Sequence, residues 1–109
     1  MAHIYLLECL TYSNEVVFKI GESVNPIERI QTWKNQFKIP VELLTKERPT
    51  RGQIIRRILS SKIHNLGSKK QAQIIEHALH NNFRARQTPI FYHEKGRSHL
   101  RVSKEFFVD

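Results

Sequence analysis

Ala2-His3-Ile4-Tyr5-Leu6-Leu7-Glu8, the turn-prone Thr11-Tyr12-Ser13-Asn14 and then Glu15-Val16-Val17-Phe18-Lys19-Ile20 decide how this chain folds. Two runs rich in β-branched and aromatic residues, joined by a short polar stretch, predict an antiparallel hairpin. Period-two alternation puts Ile4 and Leu6 on one face with Val16, Phe18 and Ile20. His3, Tyr5 and Leu7 share the other face with Val17 and Lys19. The first face is the expected core. A turn centred near Tyr12 sets Tyr5 opposite Lys19 on the less apolar face, a pairing that a one-residue slip would undo.

After the hairpin, Asn25-Pro26-Ile27-Glu28 supplies an N-cap, a proline at the first helical position and an acid in the first turn, so a helix is expected to about Phe37. Its apolar stripe reads Ile27, Ile30, Trp33, Phe37, with Arg29 at the margin beside Trp33. Pro40 closes that segment, and Val41 to Thr45 is expected as a third short strand. Past the Arg48-Pro49-Thr50 loop, Ile54, Ile55, Ile58, Leu59 and Ile63 have the spacing of a second amphipathic helix that stops at Gly67. A further helix from about Lys69 to Ala85 carries Ile75, Ala78, Leu79 and Phe83, with Glu76 and His80 one turn apart at the edge of the apolar arc. Ile90-Phe91-Tyr92, the Glu94–Arg97 turn, and Leu100 with Val102 predict a basic hairpin, and Glu105 to Val108 a closing strand. The expected fold is α/β, a small, mainly antiparallel three-stranded sheet flanked by helices with an added C-terminal hairpin, in one domain over residues 1–109.

A chain of 109 residues suits one compact core. Its net charge of +8, from 18 Lys and Arg against 10 Asp and Glu, points to a polyanionic partner. The single cysteine, Cys9, cannot close an internal disulfide, and no apolar run approaches the roughly 20 residues that span a bilayer. With no basic leader in Met1 to Leu10, the expected location is the cytoplasm, with no membrane partner.

The order of these features resembles the GIY-YIG nucleases over nearly the whole chain. His3-Ile4-Tyr5 stands where that family has Gly-Ile-Tyr, and Phe18-Lys19-Ile20-Gly21 where it has Tyr-Ile-Gly, or Lys-Ile-Gly in one branch. Arg29 follows Gly21 by eight residues inside the first helix, as the family's catalytic arginine does. Ser23-Val24-Asn25-Pro26 is similar to the loop entering that helix. Glu76-His77-Ala78-Leu79-His80-Asn81-Asn82-Phe83 is similar to the helix of the small-protein branch, followed at the end by Glu105-Phe106-Phe107. The chain departs from the pattern at His3, at Glu22 after the motif glycine, and in a longer Arg51–Lys70 segment.

The resemblance implies an endonuclease that hydrolyses DNA phosphodiesters with one divalent cation, Mg2+ or Mn2+, and leaves a 5′ phosphate. In it Tyr5 takes a proton from water or relays it. Free tyrosine holds its proton to about pH 10, so the family role needs a neighbour such as Lys19 that favours the phenolate. Arg29 binds the non-bridging oxygens through its planar, permanently charged fork. Glu76 holds the cation, and His80 orients the leaving group or Glu76. Each of these residues has a plainer use as a surface tyrosine, lysine, arginine, acid or histidine; their arrival together in family order favours catalysis. Lys69 and Lys70, Arg84 and Arg86, and Arg97, Arg101 and Lys104, interspersed with Phe91 and Tyr92, have the composition of a surface that tracks the phosphates of DNA, or of RNA. His77, His80, His93, His99 and Cys9 match no standard zinc spacing. A homodimer stays open. The competing class is a catalytically silent module that holds nucleic acid or blocks a partner on the same scaffold.

Overall fold

The computed structural model describes all 109 residues. Strand β1 (Ala2–Thr11) and strand β2 (Val16–Ser23) form the opening hairpin, followed by α1 (Pro26–Gln36) and α2 (Val41–Glu47). A 3-10 turn at Arg51–Gln53 leads into β3 (Ile55–Gly67) and α3 (Lys69–Asn82); a second one at Arg84–Arg86 leads to β4 (Gln87–Tyr92) and β5 (Arg101–Val108). The strands make one five-stranded sheet in the order β3-β1-β2-β5-β4, every adjacent pair antiparallel. The α/β class and the antiparallel sheet flanked by helices are as expected, and the C-terminal hairpin joins the sheet through β2.

The hairpin pairs Leu10 with Val16, Leu7 with Lys19 and Tyr5 with Gly21. Tyr5 is therefore one diagonal step from Lys19 and not opposite it. The shift comes from the turn: Thr11 Oγ1 accepts from the backbone N–H groups of Ser13 and Glu15, and Asn14 takes the left-handed conformation (φ 65°), which centres the loop on Ser13. A slip of two residues keeps every side chain on its face.

Both faces are covered. On the Tyr5 face lies the larger core, where Tyr5, Leu7, Cys9 and Val17 meet Ile30, Trp33 and Phe37 of α1 together with Ile55, Ile90 and Phe106. The opposite face, expected from its aliphatic content to be the main core, buries only Ile4, Ile20 and Phe107, with Leu6, Leu66 and, from α3, Leu79 partly buried against them. What reverses the ranking is α1, whose Trp33 and Phe37 pack edge-on to Phe106 at 5.7 and 5.9 Å between ring centres. The sheet curls round this cluster until its two edges touch at a parallel bridge from Ile54 to Phe91.

Helix α1 starts as its sequence predicts: the Asn25 side chain accepts from Glu28 N–H at 3.3 Å and its amide donates to the Glu28 carboxylate at 2.8 Å. Ile27, assigned above to the buried stripe, is 74% exposed, and Pro26 takes its place. Two segments exchange type. Val41–Glu47 is a helix and not a strand: five of its seven residues are Leu, Glu or Lys, only Leu43 is buried, and Glu47 accepts from Leu100 N–H at 2.6 Å. Ile55–Gly67 is a strand and not a helix, because it pairs with β1 along nearly its whole length. Only Ile55 of that strand is buried, with Ile58 packed beside it on the core, while Leu59 and Ile63 are exposed, so the helical spacing of the apolar residues does not mark one packed face. This strand accounts for the long Arg51–Lys70 segment. Gly67 (φ 79°) ends the strand, and Ser68 caps α3 by accepting from Gln71 N–H. No helix is long and apolar enough to cross a membrane.

Candidate functional site

The ladder between β2 and β5 runs only from Val17–Val108 to Lys19–Phe106, and past Lys19 the two strands part. The carbonyl of Ile20, freed from β5, accepts from Lys19 Nζ at 3.1 Å and lies 2.9 Å from His80 Nε2. Lys19 is 1% exposed, and its ammonium lies 2.7 Å from Glu105 Oε2, 5.4 Å from the centre of the Tyr5 ring and 5.1 Å from that of Trp33. A buried ammonium needs partners of this kind to offset its lost hydration. On α3 the sheet-facing stripe is Ala72, Leu79 and Phe83, with Ile75 and Ala78 turned outward, so Glu76 and His80 face β2 and β5 more fully than their place at the edge of the apolar arc suggested. Glu76, His80 and Glu105 each offer one ligand atom within 4.8 Å of the others.

The Tyr5 ring lies across Gly21, so closely that a Cβ there would fall 2.3 Å from the phenol oxygen. That oxygen accepts the Trp33 indole hydrogen at 3.0 Å, and the side chain is buried. Outside the same indole, the exposed Arg29 guanidinium stacks 5.3 Å from the ring centre. Tyr5, Trp33 and Arg29 thus form one layered column. Lys19 stands between that column and the Glu76–His80–Glu105 group. The five residues singled out from the sequence, Tyr5, Lys19, Arg29, Glu76 and His80, are linked through these contacts, and the added member is Glu105.

Burial raises the Glu76 carboxyl above the ordinary carboxylate range; repulsion from Glu105 and Glu22 adds to this, and His80 and Lys19 partly offset it. Three features suit a divalent cation here. The donors are two carboxylates and one imidazole, a set open to Mg2+ with retained waters and to Mn2+, which also takes nitrogen. His80 Nε2 lies 2.9 Å from the Ile20 carbonyl, the backbone anchor typical of a ligating histidine. Glu22 Oε2, one of the carboxylates acting on Glu76, is buried with no hydrogen-bond partner.

The residues read as a phosphate-tracking surface are dispersed. Lys69 and Lys70 open α3, Arg84 and Arg86 follow its end, and Lys104 is exposed on β5. Arg97 and Arg101 are 3.7 and 3.4 Å from Glu94 in the C-terminal hairpin, which ties both cations to one acid. His99 faces Glu47 at 3.5 Å and His93 the Arg97 carbonyl at 2.9 Å, away from the cluster. Burial pushes the Cys9 thiol up to about 12, so it is an inert core residue.

Among models of protein families, the T5orf172 domain matches residues 2–108; it is a nuclease-like domain seen in phage and bacterial proteins. No curated protein and no solved structure matches the chain.

Proposed function

The chain belongs to the T5orf172 domain family, and from that membership and the site geometry we propose that it is a divalent-metal-dependent endonuclease hydrolysing DNA phosphodiester bonds, with Tyr5, Arg29 and Glu76 in the roles that its GIY-YIG resemblance implies and His80 and Glu105 joining Glu76 as cation ligands. The observation that carries the reading is the meeting of Glu76, His80 and Glu105 within 4.8 Å, beside a buried lysine that touches Tyr5. Exposed acidic groups alone are common; this cluster is set against a buried ammonium that also faces the Tyr5 ring.

Glu76, Glu105 and His80 would hold the cation, which when bound supplies a Lewis acid for the phosphate oxygens. Arg29, exposed and steadied by Trp33, takes the non-bridging oxygens as charge builds on phosphorus. Water attacks phosphorus, the bond to the 3′ oxygen breaks, and the products are a 3′ hydroxyl and a 5′ phosphate. Tyr5 relays the water's proton, accepting it as the phenol hydrogen leaves to solvent, and solvent water supplies the proton that the departing 3′ oxygen takes up. With its side chain 1% exposed, Tyr5 can act only on a water that enters the gap where β2 and β5 part. The Trp33 hydrogen bond holds its oxygen in place there.

Supercoiled plasmid with and without Mg2+ tests the reading on the unaltered protein, Glu76→Ala and Tyr5→Phe. Metal-dependent nicking by the unaltered protein alone is the expected result. Equal nicking by both variants would refute the site. One observation favours the silent module: the Lys19–Glu105 pair is closed and Tyr5 lies behind it. Salt-sensitive binding with no cleavage of any DNA or RNA would decide for that module.

A further inference from the structure

On α1 the buried stripe of Ile30, Trp33 and Phe37 separates two flanks. Arg29 lies on one flank, and Lys34 and Lys38, one turn apart, lie on the other. Beyond Lys34 and Lys38 is an open cleft of about 800 Å³ between α1 and the start of β3, whose cations are Lys34, Lys38, Arg51, Arg56 and Arg57 and whose lining includes no acid. All five are exposed, and none belongs to the ion pairs of the chain, which use Lys19, Arg97, His99 and Arg101. Consecutive residues of a regular strand point to opposite faces. Arg56 and Arg57 nevertheless both line the cleft, because Arg57 pairs with Leu10 and Ile55 with Thr11, leaving Arg56 as the extra residue of a bulge. Bulges re-aim side chains in this way.

We infer that this cleft is a second nucleic-acid contact, separate from the catalytic cluster, which takes the sugar–phosphate backbone of duplex DNA. An α-helix with its side chains is about 10–12 Å across and the B-DNA major groove about 12 Å wide. A duplex straddling α1 therefore meets Arg29 with one strand and the Lys34–Arg57 cleft with the other. Single strands and acidic peptides have only one such edge and cannot engage both flanks at once. The cleft supplies register and affinity, without base readout. The inference rests on the nucleic-acid part of the proposed function and not on catalysis.

Fluorescence anisotropy on the Glu76→Ala background measures binding without cleavage. The probes are a labelled duplex of ~20 base pairs, about two turns, the matching single strand, and a polyglutamate peptide. Arg56→Gln/Arg57→Gln/Arg51→Gln removes one wall of the cleft and Lys34→Gln/Lys38→Gln the other, and thermal melts check that both variants fold. Each variant is expected to weaken duplex binding at least about tenfold and to lower the slope of log affinity against log salt by about one per cation removed. Single-strand and peptide binding should be weaker throughout. Unchanged duplex affinity and slope in folded variants would overturn the inference, as would tighter binding of the peptide or single strand than of the duplex. If plasmid nicking by the otherwise unaltered protein survives while the slopes do not move, the cleft fails and the hydrolase stands. If the slopes fall and nicking is absent, the cleft stands and the hydrolase fails.

Discussion

A methyl group on Gly21 would meet the Tyr5 phenol at 2.3 Å, so the motif glycine is needed for the close approach of ring and strand. Gly21→Ala must push the ring aside and break its 3.0 Å bond from Trp33. It should cost about 1–3 kcal/mol, as overpacking does, and remove nicking; an unchanged urea midpoint would contradict the packing. Glu76 makes a prediction with a pH sign. Unfolded, its carboxyl titrates at the ordinary carboxylate value of about 4.5, whereas in the fold it keeps its proton to higher pH. Between those limits the folded state binds more protons, so stability falls as pH rises through the window, and the penalty is absent below it. Glu76→Gln should therefore raise the Tm of metal-free protein at neutral pH and change it little in acid. A Tm gain independent of pH would show that the carboxyl is not destabilised by its charge. Tyr5, Lys19, Arg29, Glu76 and His80 were legible from residue type and order, because each lies next to a motif. Glu105 was not singled out as a site residue, since between Lys104 and Phe106-Phe107 it reads as an outward position of a closing strand.

Helix α1 carries Arg29 one turn from its capped start, so the cap also orients the arginine. Asn25→Ala removes both the bond from Glu28 N–H and the one to its carboxylate. It should cost about 1 kcal/mol in a urea melt, with a fall in nicking larger than that loss explains if Arg29 is the phosphate ligand. An activity loss no greater than that of an equally destabilised core variant would detach Arg29 from the site. Caps were readable because their bonds are local. The two exchanged segments were not, for opposite reasons. Val41–Glu47 is short enough that seven residues cannot separate helix from strand by period alone. Ile55–Gly67 has helical isoleucine spacing, yet β1 lies between β2 and an otherwise open edge, and pairing along that edge satisfies its backbone groups. That error also hid the basic cleft, since the Arg56 bulge exists only in a strand.

At the scale of the molecule, the candidate site is assembled from segments far apart in the chain: Lys19 and Glu105 are 86 positions apart and meet at 2.7 Å. Neither can find the other until β5 has docked beside β2, and Glu76 and His80 arrive only when α3 lies across that junction. A cation held by this group would therefore bind the folded chain far better than the unfolded one, and its binding energy would appear as stability. At a Mg2+ or Mn2+ concentration about 100 times its dissociation constant the gain is about 2.7 kcal/mol, which for a domain of this size raises Tm by roughly 10 °C or more. Glu76→Gln and Glu105→Gln should each lose most of that rise. Only the second also breaks the Lys19 ion pair and leaves the buried ammonium with the Ile20 carbonyl and two aromatic rings. Without metal, then, Glu105→Gln should melt below the unaltered protein while Glu76→Gln melts above it. Thermal melts of the three proteins with and without metal read both effects. An equal metal-induced rise in all three would remove the cation from this junction, leaving Glu105 as the partner of Lys19 alone.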